Sequence, residues 1–258
     1  MATPAKASSN YVIQFGAMLE ENASIDEFTY RYVLRNYSSS TEGNDVSAVG
    51  FAYALNGEDD LAYEHFHKHL KMGNITIAKN FAAFLFKRHH YRQLHEIIYQ
   101  LADSFGGKML TMLAAAESYR VGDLAAIQKY MEWHCRLLSE NDDKYGAEAY
   151  MRELIDGVKG CYEAKVCTPE QFRLLGDITH SILEERKLIP GSLGIFSSMG
   201  GDYLVQVEKA TPEDIVLMNF DLAERICSES RLDDCEMTAR FSVLRESHTK
   251  ETYDYSEF

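Results

Sequence analysis

Between Asp45 and Ser139 the chain alternates apolar segments of about a dozen residues with short breaks that contain Gly, Asp or His. Segments of that length are too long for strands and suit short helices. The first pair is expected over 45–56 and 61–72, joined by Gly57-Glu58-Asp59-Asp60 and ended by Gly73-Asn74. A second is expected over 76–88 and 91–105, turning at His89-His90 and closed by Gly106-Gly107. A third is expected over 108–120 and 124–139, turning at Val121-Gly122-Asp123. Leu61, Leu94 and Leu124 open the three second helices at spacings of 33 and 30 residues. A hairpin this small cannot bury its apolar face alone, so such units stack.

The first hairpin carries Gly50, Tyr53, Gly57, Ala62 and Phe66. Small residues at 50 and 62 let two helices approach closely, and the aromatics fill the space around them, so Gly50 is expected to face Ala62. The second hairpin keeps Ala83, Phe86, Tyr99 and Ala102, with His90 at the turn-glycine position and His95 at the small position. The third keeps Ala115, Tyr119 and Gly122. This pattern resembles the tetratricopeptide repeat, with one well-matched copy and two degenerate ones over about 43–140. In that family, first-helix side chains line a concave groove that binds peptides or protein surfaces. Transferred to this register, the resemblance implies a groove of Phe51, Asn80, Phe84, Lys87, Met112, Ala116, Tyr119 and Arg120. That is an apolar floor with two cations, and it lacks the Lys/Asn set of the carboxylate-clamp repeats.

Outside the array, a helix is expected over about 10–21 and another from Ser24, where Ser24 and Glu27 have capping-box spacing. Two more are expected over 141–187, the second opened by Thr168-Pro169-Glu170-Gln171. Beyond Pro190 the pattern changes. Residues 203–208 and 236–245 alternate with a period of two, as half-buried strands do, and Thr211-Pro212 opens a helix between them. That helix has two apolar stripes, Ile215/Met218/Leu222/Ile226 and Val216/Phe220/Ala223/Cys227, which suggests contact on two sides. Two strands alone are marginal, so a third from 193–197, the helices or a partner chain is required. The glycine-rich stretches 191–194 and 198–201 read as flexible connectors. The fold expected is mainly α: a helical-hairpin array over 1–189, a small strand-helix-strand unit over 190–250, and an acidic aromatic tail over 251–258.

Composition narrows the chemistry. No apolar run reaches the roughly 20 residues that cross a bilayer, and Gln14 and Gly16 break up Tyr11–Leu19, so no signal segment or membrane is expected and the expected compartment is cytoplasmic. The five cysteines, Cys135, Cys161, Cys167, Cys227 and Cys235, form no CxxC and read as small buried thiols. The net charge is −14, unevenly placed: −3 over residues 1–135 and −11 over 136–258. Such a field repels nucleic acid and attracts basic proteins. His65 and His69 share a helix face with metal-ligand spacing, but no HExxH or neighbouring cysteine joins them, and no metal or cofactor is expected. There is no GKS/T, GxSxG or kinase signature.

The function expected is therefore protein–protein interaction, of adaptor, inhibitor or toxin-neutralising type, with a protein or peptide partner that the field favours being basic. The C-terminal strands offer a route to a homo-oligomer. The alternatives are an enzyme or effector without a recognisable motif, with its chemistry near 190–246, or an acidic mimic of nucleic acid. Tyr253, Tyr255 and Phe258 alternate with Asp254 and Glu257, a complement to the implied groove that makes the tail a candidate occupant of it.

Overall fold

Asp26 begins the first stretch in which local chemistry can be followed residue by residue. Its carboxylate accepts the Thr29 amide at 2.9 Å and caps helix α2, Glu27–Tyr37. The cap expected at Ser24 is thus taken by Asp26, two residues on, and Ser24 lies in the connection from helix α1, Ala7–Glu20. The structure is a computed structural model that describes residues 7–197, 200–244 and 253. Its chain divides into two compact units, Met1–Gly106 and Gly107–Phe258. The division falls at two consecutive glycines, both at positive φ (63° and 88°), where side-chain-bearing residues are strained.

The first unit continues with α3 (Gly43–Leu55), α4 (Asp59–Leu70), α5 (Ile75–Lys87) and α6 (Tyr91–Phe105), the four helices of the first two expected hairpins. Its core is a set of phenyl rings. Phe66 stacks on Phe81 and Phe84 at 5.5 and 5.8 Å and meets Phe51 edge-on at 5.7 Å. Gly50 exists to make room for this ring. A Cβ there would stand 2.4 Å from Phe66, so the group that presses on Gly50 is Phe66, one helical turn beyond the expected Ala62. At the second turn the left-handed residue is His89 (φ 62°), while His90 opens α6. Arg88 binds Asp59 through two nitrogens at 3.0 Å, and His90 reaches the same carboxylate at 3.2 Å, tying the start of α4 to the turn between α5 and α6.

The second unit holds α7 (Lys108–Arg120), α8 (Leu124–Leu137), α9 (Lys144–Glu163) and α10 (Pro169–Arg186). Thr168 and Gln171 form the full reciprocal capping box with Pro169 in the first turn, as the sequence predicts. Three strands follow: β1 (Pro190–Phe196), β2 (Asp202–Val207) and β3 (Thr238–Val243), with α11 (Pro212–Cys227) between the last two. β1 pairs antiparallel with β2, and β2 pairs parallel with β3, so α11 is the crossover that a parallel pair requires. The stretch 191–194, expected as a connector, is strand: its glycines lie close against the Leu244, Glu208 and Phe196 side chains, space that a Cβ would invade. The fold is mainly α with a small mixed sheet, as the sequence predicts, but the sheet shares its unit with α7–α10.

Each outer edge of the sheet is met by a side chain, β1 near its C-terminal end and β3 near its middle. On β1 the Ile195 amide donates to the Tyr119 hydroxyl at 3.1 Å, and its carbonyl faces Gly157 of α9. On β3 the Asn219 amide of α11 bonds both the N–H and the C=O of Phe241, at 2.8 and 3.1 Å. The expected route to a homo-oligomer by strand addition therefore meets a β3 edge closed near its middle and a β1 edge closed near its C-terminal end. Among the described residues, no helix is long and apolar enough to cross a membrane.

Candidate functional site

The implied groove residues serve packing in this structure. In the first unit Phe51 and Phe84 lie in the phenyl core, and Asn80 donates to Ser47 Oγ at 2.9 Å. Helix α1 packs on α3 and α5, and Lys87 is spent on it, bonding the Gly16 carbonyl at 3.2 Å and the Glu20 carboxylate at 3.0 Å. In the second unit Met112, Tyr119 and Arg120 are buried. Burial holds the Tyr119 hydroxyl above its ordinary pKa, so it stays protonated while it accepts from Ile195. Arg120 binds Glu117 at 2.9 Å and Asp177 at 3.0 Å. Of the eight residues, Ala116 alone is exposed. The repeat register assigns these positions to a groove because it contains no term for the elements that cover them, α1 in one unit and β1 and α10 in the other.

The histidines are likewise committed to packing. His65 Nε2 donates to the Val46 carbonyl at 3.0 Å, and His69 Nδ1 to the His65 carbonyl at 2.7 Å, with the two rings 4.4 Å apart. His67 points elsewhere and stacks on Tyr63. Burial, with the neighbouring His69, pulls the His65 pKa from 6.5 down to about 4. The unfolded chain takes up this proton as pH falls below 6.5, and the folded chain does so only near 4. Stability of the first unit is therefore expected to fall across that window by about 2–3 kcal/mol. His65→Gln should flatten the dependence, read as the urea midpoint of the first unit between pH 7 and 4.5; an unchanged slope in the variant refutes the assignment.

None of the five cysteines is paired in a disulfide, and burial raises the pKa of Cys167 to about 12, but Cys227 is exposed and Cys235 half-buried, against expectation. Two surface clefts open in the second unit. One, of about 450 Å³, lies between the Gly122 turn and Tyr162, Pro169 and Arg173. The other, of about 320 Å³, lies between α8 and α9, where Glu132 and Glu148 alternate with Arg136, Lys144 and Arg152. Neither concentrates one sign of charge. Of the tail named as a candidate occupant of the groove, only Tyr253 is among the described residues. Its hydroxyl is 3.0 Å from His134 Nε2 and its ring meets Tyr150, on α8 and α9, outside the implied groove set.

The surface that stands out is the outer face of α11. At 100° per residue, Met218, Leu222, Ile215 and Ile226 fall on one side and Val216, Phe220, Ala223 and Cys227 on the other. Met218 and Leu222 are buried. Val216, Leu217 and Phe220 are 53, 56 and 72% exposed. The inner side is firmly held: Asn219 grips β3, and Arg225 clamps Glu185 of α10 at 2.6 and 2.8 Å while also binding Asp221. The second stripe was legible in the sequence; what the sequence did not supply is which stripe is covered, and that Leu217 widens the open one. In the first unit Ile13 on α1 and Phe28 and Tyr32 on α2 are exposed as well. No known protein-family model, curated protein or solved structure matches this chain.

Proposed function

We propose that this chain is a protein-interaction module and that the outer face of α11 is its docking surface. The observation that carries the reading is three large apolar side chains, each more than half exposed, on one face of a helix whose opposite face is locked into a core. Scattered exposed apolar residues are ordinary, but a contiguous stripe on a rigid element marks contact sites. An aromatic at its centre, Phe220, is the kind of residue that dominates interface energetics. The second unit carries 28 acidic and 17 basic residues, a net −11, which favours positively charged partners and steers their approach. The likeness to tetratricopeptide repeats agrees with a binding role but places it elsewhere on the chain.

The reading is tested by affinity capture from the cells that make the protein, wild type against Phe220→Ser, with mass spectrometry of what is retained. A partner held by the wild type and lost from the variant is the expected result; identical captured sets from both overturn it. With the partner purified, affinity is expected to fall about tenfold or more between low and high salt, because exposed charges act only over about 8 Å at physiological ionic strength.

A further inference from the structure

We infer that the occupant of the α11 face is an amphipathic helix flanked by basic residues; this rests on the docking role proposed above. The arrangement of charge along the stripe points to that chemistry. Glu213, Leu217, Phe220 and Glu224 follow one another at spacings of 4, 3 and 4 residues, which places them on a single line along the helix. Leu217 and Phe220 occupy its middle and the two glutamates its ends, about 16 Å apart at 1.5 Å per residue. Val216, Ala223 and Cys227 lie alongside.

Two arginines at α11 are already committed. Arg225 is bound by Glu185 and Asp221, and Arg186 lies 3.6 Å from Asp221. Asp214 is engaged in its own capping box with Thr211. Glu213 and Glu224 are both exposed and outside these pairs, so they are the charges the stripe presents. A second copy of this chain offers the wrong sign, bringing four glutamates and two charges of −14 together. A helix with apolar residues at i, i+3 or i+4 and i+7, and Lys or Arg about 11 positions apart at the two ends, satisfies both the apolar centre and the glutamates.

Three synthetic 18-residue helical peptides with one shared apolar face test this, with Lys, Gln or Glu at the two flanking positions. Binding to the full chain is read by fluorescence anisotropy at physiological salt. The Lys peptide is expected to bind at least tenfold more tightly than the Gln peptide, and the Glu peptide not to saturate. Phe220→Ser should abolish Lys-peptide binding, and Glu213→Gln with Glu224→Gln should reduce it to the level of the Gln peptide; all three sites are exposed, and circular dichroism checks that the fold is kept. Equal, Phe220-dependent binding of the Lys and Gln peptides overturns the basic partner and leaves the docking surface standing. Absence of any Phe220-dependent binding overturns the helical occupant altogether, whatever the affinity capture retains. A concentration-dependent dimer in sedimentation, dissolved by Phe220→Ser, assigns the face to a second copy and likewise overturns the proposal.

Discussion

Arg120→Ala is expected to destabilise the second unit by about 3–5 kcal/mol, measured as a shift in its urea or thermal transition. Arg120 is 4% exposed and Glu117 is 7% exposed. Burial is the largest single effect and works against the charge on Arg120, but Glu117, Tyr203 and Asp177 together outweigh it and hold the guanidinium above its ordinary pKa. Removing the cation leaves the Glu117 carboxylate in a low-dielectric site without the charge that offset its desolvation, and that is the costly half of the change. The same residue is also a backbone anchor. Its carbonyl accepts the Tyr203 hydroxyl at 3.0 Å and would lie 2.4 Å from a Cβ on Gly176 of α10, so α7, α10 and β2 converge on it. Replacing both partners, Arg120→Met with Glu117→Leu, should recover most of the loss, because an apolar pair of similar volume requires no desolvation of charge. If the single and double variants lose equal stability, packing rather than charge explains Arg120.

Phe66→Ala is expected to cost the first unit about 3–5 kcal/mol. The ring is fully buried and touches Phe51, Phe81 and Phe84, none of which can swing into the space without leaving its own stack. Gly50→Ala attacks the same spot from the other side. Its methyl group would stand 2.4 Å from the ring, and a ring so confined cannot retreat, so about 1–3 kcal/mol is expected. Combining Gly50→Ala with Phe66→Leu should cost less than the sum, since the smaller side chain yields the room that the methyl group needs. Strict additivity in urea denaturation refutes the direct contact.

How much of this was legible in the sequence differs between elements, for physical reasons. The helices announced themselves through apolar period and breaks, and the Thr-Pro starts of α10 and α11 named their own caps, because those signals are local. The start of α2 was misplaced by two residues because Ser24 and Asp26 both have capping chemistry, and the choice between them depends on where α1 ends. β1 was half legible: a third strand over 193–197 was one of the ways expected to complete the sheet, but Gly191 and Gly194 read as loop, and only the side chains that lie against them explain why glycine is needed in a strand. The implied groove failed for a similar reason. A repeat register says which helix face is concave, but Lys87 and Tyr119 are consumed by α1 and β1, and no periodicity in the repeats encodes what covers them. The α11 face was half legible: its two stripes were visible, while their assignment to core and surface needed Asn219 and Arg225 to show which side is tethered.

Asn219 and Phe220 are adjacent in the chain and project about 100° apart on α11, one closing the edge of β3 and the other open to solvent. Any molecule that holds Phe220 therefore also holds Asn219 over the Phe241 amide. Local opening that frees this N–H becomes rarer by the factor 1 + [L]/Kd when the occupant binds only the closed form. Slowed deuterium uptake at Phe241, a residue that no occupant touches, is thus a buried gauge of how fully the outer surface is filled.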